Sequence, residues 1–204
     1  IFTFEILSPS KFSASIQHRV LLFLTDYKWK GSNFYVFTFL LPARRRPMIS
    51  VKHLTKYYGE HLAVNDISFE ITEGHVYGFL GPNGAGKSTT MNIITGCLSA
   101  TDGTVLVDGH DIFEEPDDAK RLIGYLPEHP PLYMNESPWE YLRFVGEAKG
   151  LHGAALTKQI GEVMERTGIT NVKDRRIAAL SKGYKQRVGI AQALLGNPKV
   201  IILD

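Results

Sequence analysis

Nine consecutive residues, Gly81-Pro82-Asn83-Gly84-Ala85-Gly86-Lys87-Ser88-Thr89, carry the spacing of a phosphate-binding P-loop at every fixed position. Glycines let the backbone turn tightly and bring its N–H groups close to phosphate oxygens. A helix starting where the loop ends aims its own N–H groups, and its positive dipole end, at the same anion. Lys87 adds a point charge within reach of β- and γ-phosphates, and Ser88 offers a hydroxyl to Mg²⁺. At the far end, Val200-Ile201-Ile202-Leu203-Asp204 is an apolar run closed by a carboxylate. That is the Walker-B pattern, in which a buried parallel strand delivers Asp to a Mg²⁺ site.

These residues need elements to position them. Val76–Leu80 has strand character, and Met91, Ile94 and Leu98 recur at helical spacing after the loop. Cys97 falls on the apolar side of that helix and is expected to be buried. Ahead of the loop, Ile49, Val51 and Leu54 begin a strand, a turn follows at 57–60, and 62–71 alternates in part. An antiparallel β-layer is predicted there. Tyr57 and Tyr58 lie at its first turn, as a stacking face for a flat base or, more commonly, as partly buried packing residues.

Beyond the P-loop helix, 103–112 reads as strand, Asp108-Gly109 turn and short strand. His110 and Asp111 at that turn are not a metal-ligand set. A further strand is predicted over 120–126, and Pro127-Glu128-His129-Pro130-Pro131 then breaks regular structure. Helical spacing returns from Trp139 to Thr167, interrupted between Gly150 and Gly153. Ser181 is placed to cap a helix from about Tyr184 to Leu195, with Val188, Ala191, Leu194 and Leu195 inward.

The 204-residue chain has ordinary charged and apolar fractions, and a net charge of +2 gives no argument for nucleic acid. The single Cys97 excludes an intrachain disulfide and fits a reducing compartment. The basic residues are uneven: Lys11, Arg19, Lys28, Lys30, Arg44, Arg45 and Arg46 stand in 1–47 against only Glu5 and Asp26. That leader is aromatic-rich, and its apolar runs at 20–24 and 34–41 are too short for a membrane helix. It is expected to be an atypical N-terminal extension outside the fold, with the working protein starting at Met48.

Residues 48–204 resemble the nucleotide-binding subunit of an ABC transporter. In that family a P-loop, a Q-loop, a Leu-Ser-Gly-Gly-Gln signature and a Walker-B strand follow in order, matched here at 81–89, 128, 180–184 and 200–204. The short interval from Ser88 to Ser181 suits a transporter ATPase, not relatives that insert long coiled coils there. The resemblance implies an α/β fold: a P-loop NTPase core with an antiparallel β subdomain and an inserted α-helical subdomain at about 130–180. It implies that Tyr58 stacks on adenine, and that Ser181 and Gly183 contact the γ-phosphate of ATP held by a second copy in a head-to-tail dimer. Glu128 stands where the family usually has Gln, keeping an oxygen for Mg²⁺ but adding charge. Lys182 and Tyr184 replace the first Gly and the Gln of the signature. Pro127-Glu128 and Leu180–Tyr184 look like the ABC-2-type exporters that include gliding-motility ATP-binding subunits.

Such a subunit hydrolyses ATP and drives a transmembrane permease from the cytoplasmic face of the membrane as a peripheral protein. The family's catalytic carboxylate, D-loop and switch histidine lie beyond its Walker-B Asp, so the fold is expected to be C-terminally incomplete at Asp204 and this stretch to bind nucleotide but turn it over poorly. A soluble ABC ATPase acting on ribosomes or nucleic acid is the alternative, expected to show a second cassette or a basic insert. A P-loop kinase leaves the Ser181 region unexplained.

Overall fold

The computed structural model describes residues 47–204 and the backbone of 3–6 and 35–38. The chain divides into two compact units, one of residues 1–123 with 199–204, the other of 124–198.

The first unit holds two sheets. Strands β1 (Thr3–Ile6) and β2 (Tyr35–Thr38) come from the leader; β3 (Pro47–Tyr58), β4 (His61–Thr72) and β5 (Val76–Leu80) precede the P-loop. After helix α1 (Lys87–Ile94) come β6 (Asp102–Val107), β7 (His110–Asp111) and helix α2 (Pro116–Arg121). The chain crosses into the second unit within β8 (Ile123–Leu126). There it forms α3 (Pro138–Ala148), α4 (Gly153–Thr167) and α5 (Lys182–Leu194), before returning as β9 (Val200–Leu203).

The antiparallel layer predicted ahead of the P-loop is present, with strand order β4-β3-β6-β7. Ile49 pairs with both Ile71 and Val107, and Val51 with Phe69 and Val105. Asp108 and Gly109 both take positive φ, 49° and 93°, and close the β6–β7 hairpin. A two-residue connection with both φ positive matches strand twist, which is why Asp-Gly reads so clearly there.

In the other sheet β2 pairs antiparallel with β5 on one side and with β9 on the other. Strands β5 and β9 therefore run parallel to each other with β2 between them. The sequence predicts a buried parallel strand at 200–203; Val200, Ile202 and Leu203 are buried, and β9 runs parallel to β5 while pairing antiparallel with β2 on one edge. Two segments of the leader, 3–6 and 35–38, pair with this sheet. The rest of the leader expected to stand outside the fold, including Arg44-Arg45-Arg46, lies outside the described residues.

Apolar side chains fill the first unit. Phe79, Ile49, Leu54, Ile71, Met91, Ile93, Ile94 and Ile112 are buried to 1% exposure or less. Each such burial contributes roughly 1.5–3 kcal/mol. This core fixes the strand before the P-loop (Phe79) and the helix after it (Met91, Ile93, Ile94).

Helix α1 is shorter than the spacing predicts. It ends at a Thr95 cap, and Gly96 turns left-handed at φ 69°. The Thr95 hydroxyl donates to the Met91 carbonyl at 3.0 Å, while the Cys97 and Leu98 N–H groups return to Asn92. Cys97 has thus left the helix and is exposed, not buried. Lys120 and Arg121, expected at the start of a strand, close α2 instead. Pro116 at its first turn, with Asp117 and Asp118 there and Lys120 and Arg121 in its last, matches the helix dipole at both ends.

The second unit is helical, and the predicted interruption between Gly150 and Gly153 falls in the 149–152 connection between α3 and α4. Ser137 and Glu140 form a capping box on α3: the Ser137 N–H donates to Glu140 Oε2 at 2.8 Å, and Ser137 Oγ accepts from the Glu140 N–H. Ser181 caps α5 as predicted, and Val188, Ala191, Leu194 and Leu195 are buried.

Candidate nucleotide site

Strand β5 ends at Leu80 and α1 begins at Lys87, so six residues make the connection. Gly84 and Gly86 sit at φ 80° and 82°. At Gly86 a side chain is excluded twice over, because a Cβ would lie 2.3 Å from the Ala63 carbonyl oxygen. Strand β4 thus backs the loop directly. Ala85 N–H donates to the Pro82 carbonyl at 3.2 Å and holds the turn around Asn83 and Gly84. The Thr90 N–H and hydroxyl both donate to the Gly86 carbonyl, at 2.8 and 2.9 Å. These two hydrogen bonds to one oxygen fix the first turn of α1, and Thr90 is fully buried.

Lys87 folds back along the loop. Its Nζ donates to the carbonyls of Gly81 at 2.8 Å and Pro82 at 2.7 Å, and the residue is buried. Burial holds its ammonium below the ordinary lysine range. No side chain caps α1 and no acid stands in its first turn. Nothing anionic therefore stands at the positive end of the helix dipole, where an anion is favoured. Thr89 follows Ser88 on the same turn and is half-buried.

Asp204 follows β9 directly, in the same unit as the P-loop. Its Oδ1 is buried. A serine hydroxyl and a carboxylate are hard oxygen donors, the set that Mg²⁺ prefers over softer metals. Tyr57 and Tyr58, at the end of β3, are 44% and 49% exposed. About half of each residue is thus exposed.

Glu128, Ser181 and Gly183 belong to the second unit. Glu128 is exposed in the bend after β8. The Ser181 hydroxyl accepts from the Tyr184 N–H at 3.4 Å, and Gly183 faces open space. The α5 start is held from the side: Asn171 Nδ2 donates to the Tyr184 hydroxyl at 3.1 Å, and the Arg187 guanidinium lies 5.5 Å over the Tyr184 ring. At the other end, Lys149 Nζ donates to the carbonyls of Gln192 at 3.2 Å and Leu195 at 2.8 Å. A cation there complements the negative end of the helix, and burial pushes its ammonium down to about 8.

Sequence reasoning missed Thr90, Asn171 and Lys149. Only Thr90 carried a signal, as a hydroxyl four residues beyond Gly86 in a helix, within reach of its carbonyl. His110 gains two neighbours the sequence did not join to it, Glu115 and Asp118, with one ligand atom from each within 4.8 Å. Arg121 already pairs with Asp118 at 3.8 Å, and the group lies at the surface.

The sequence pattern described as ABC transporter matches residues 64–204, well over half of the chain. The chain belongs to the ABC transporter family. This cassette is 42% identical over 157 residues to the uncharacterized ABC transporter ATP-binding protein YxlF of Bacillus subtilis (strain 168), covering 77% of the chain and 52% of YxlF. It is 37% identical to the lantibiotic transport ATP-binding protein SrtF of Streptococcus pyogenes, covering 77% of the chain and 66% of SrtF. Among solved structures it is similar to cbiO1 from Clostridium perfringens, part of the ABC transporter complex cbiONQ. That match has a TM-score of 0.66, 29% identity, and coverage of 78% of this chain and 65% of that one. The cassette thus has the fold of ABC ATP-binding subunits, and it spans about half the length of YxlF.

Proposed function

We propose that residues 48–204 form an ATP-binding domain with its helical subdomain at about 130–180, and that the whole protein hydrolyses ATP to power a separate transmembrane permease. The observation that carries this is the P-loop itself: a buried lysine held on loop carbonyls beside a helix N-terminus that no side chain caps. The family match and the likeness to SrtF, a lantibiotic transport ATP-binding protein, support the transport half. The Pro127-Glu128 and Leu180–Tyr184 residues favour an exporter.

In this reading the adenine lies on Tyr58. The backbone of Gly81, Pro82, Asn83, Gly84, Ala85 and Gly86 and the first turn of α1, including Thr89, wrap the phosphates. Lys87 exchanges its bonds to Gly81 and Pro82 for β- and γ-phosphate oxygens, at little cost because the ammonium is already desolvated and ordered. Ser88 and Asp204, both in the first unit, would hold Mg²⁺, which neutralises phosphate charge when bound. Ser181 and Gly183 would present a hydroxyl and open backbone N–H groups to the γ-phosphate held by a second copy, arranged head to tail. Closing and reopening of that pair would move the permease from the cytoplasmic face of the membrane. Among the described residues no helix is long and apolar enough to cross a membrane.

The test uses the complete protein purified from membranes of its own cell. A multi-span integral protein is expected to come with it, together with Mg²⁺-dependent ATPase activity. Recovery without any integral partner across several detergents sinks the transport reading; failure to bind ATP with Mg²⁺ sinks the nucleotide reading.

A further inference from the structure

Lys56 stands two residues before Tyr58 on β3. Its Nζ lies 5.4 Å from the centroid of the Tyr58 ring, within the range of a cation–π contact. The same ammonium donates to the Ser99 carbonyl at 2.7 Å. Two further bonds join these segments: Thr101 N–H to the Thr55 carbonyl at 2.9 Å, and Tyr57 N–H to the Thr101 hydroxyl at 3.0 Å. The stretch leaving α1, Ser99 to Thr101, is therefore stitched to the end of β3 within one unit.

We infer that Lys56 is a positioning residue for a purine base: it backs one face of Tyr58, leaves the opposite face for the base, and ties the ring to the segment that leaves the P-loop helix. This rests on the reading of Tyr58 as the base platform. A lysine on an exposed strand end is ordinarily a mobile, solvated charge. Here the Ser99 carbonyl anchors it, so the ring carries a fixed cation on one side. That cation draws the ring's π-density toward the covered face. The opposite face is left electron-poor and stacks better on an electron-rich purine. The ring is also ordered before the ligand arrives, which lowers the entropy lost on binding.

The experiment titrates the whole chain with ATP and, separately, with inorganic tripolyphosphate, which has phosphates and no base. Lys56→Met keeps the aliphatic stem and removes the charge. It is expected to weaken ATP by about threefold and to leave tripolyphosphate unchanged. Lys56→Arg, which restores a cation over the ring, is expected to recover ATP affinity. In a Tyr58→Ala background Lys56→Met is expected to add nothing. Lys56→Gln, read in the same way, replaces the methionine variant should that one fail to fold. Equal losses for ATP and tripolyphosphate overturn the inference, since Lys56 then acts on phosphate charge. So does unchanged ATP affinity, or a further loss on top of Tyr58→Ala. Should Tyr58→Ala itself leave ATP affinity intact, the base-platform reading fails and takes the Lys56 role with it. A Tyr58→Ala loss beside a silent Lys56→Met removes the Lys56 role alone.

Discussion

Lys87 donates from Nζ to the carbonyl oxygen of Gly81 at 2.8 Å, closing a ring between the end of β5 and the start of α1. A second bond, to Pro82 at 2.7 Å, keeps the ammonium inside that ring. The lysine therefore organises the loop as well as offering a charge. Lys87→Ala removes both bonds and leaves two carbonyls to water. We expect ATP affinity to fall by about 10- to 100-fold, the span set by a hydrogen bond to a charged group. Lys87→Arg is not expected to rescue it, because a planar guanidinium cannot occupy the space of a compact ammonium. Calorimetric titration of ATP checks both, and affinity within threefold of wild type for Lys87→Ala would show that the loop binds phosphate without it.

Gly86 and Gly84 share a left-handed backbone but not a neighbourhood. A Cβ at Gly86 meets the Ala63 carbonyl oxygen at 2.3 Å, whereas at Gly84 nothing lies within 4 Å. Gly84→Ala should cost only the conformational term, about 1 kcal/mol. Gly86→Ala must also push β4 from the loop, and we expect a loss of about 2–4 kcal/mol. Urea unfolding midpoints of the two variants give the comparison, and equal losses would mean that β4 yields freely.

The parts of the fold that the sequence shows plainly are those where one local rule decides. The P-loop glycines, the Asp108-Gly109 hairpin and the Ser181 cap each need a particular residue at a particular backbone geometry. Positions decided by competition are harder. Cys97 lies on the apolar stripe of a longer helix, but Gly96 takes the left-handed conformation that ends α1 first. Lys120 and Arg121 precede an apolar run and look like strand, yet Pro116 and the acids at 117–118 start a helix that holds them. Contacts such as Asn171 with Tyr184, or Lys149 with Leu195, join residues far apart in sequence, and no local pattern marks them.

Ser137 and Glu140 give a prediction in acid. Hydrogen bonds from the Ser137 backbone and then its side chain hold the Glu140 carboxyl below its ordinary value of 4.5. A carboxylate with a depressed folded pKa stabilises the fold above its unfolded pKa, and that contribution is lost as pH falls through the folded value. Glu140→Gln should therefore flatten the fall in stability below about pH 4.5 relative to wild type. Ser137→Ala removes the cap itself and should cost about 1 kcal/mol at neutral pH. Chemical denaturation at neutral and acid pH reads both effects, and parallel pH curves for Glu140→Gln and wild type would refute the first.

Lys149 gives the opposite limb. Burial lowers its ammonium from 10.5 to about 8, although its nitrogen faces the Gln192 and Leu195 carbonyls at the end of α5. Below about pH 8 both folded and unfolded states carry the proton, and the desolvation penalty is present in full. Between about 8 and 10.5 the unfolded state binds more protons than the folded one, so this group's contribution to stability rises with pH. Lys149→Met carries no proton to lose. The difference in stability between wild type and Lys149→Met should move in favour of wild type as pH is raised from 7.5 to about 10. Urea midpoints across that range measure it, the difference cancelling titrations common to both proteins. A difference constant with pH would mean that water reaches the ammonium freely. A difference moving the other way would mean that the two carbonyls hold the charged form more strongly than burial opposes it.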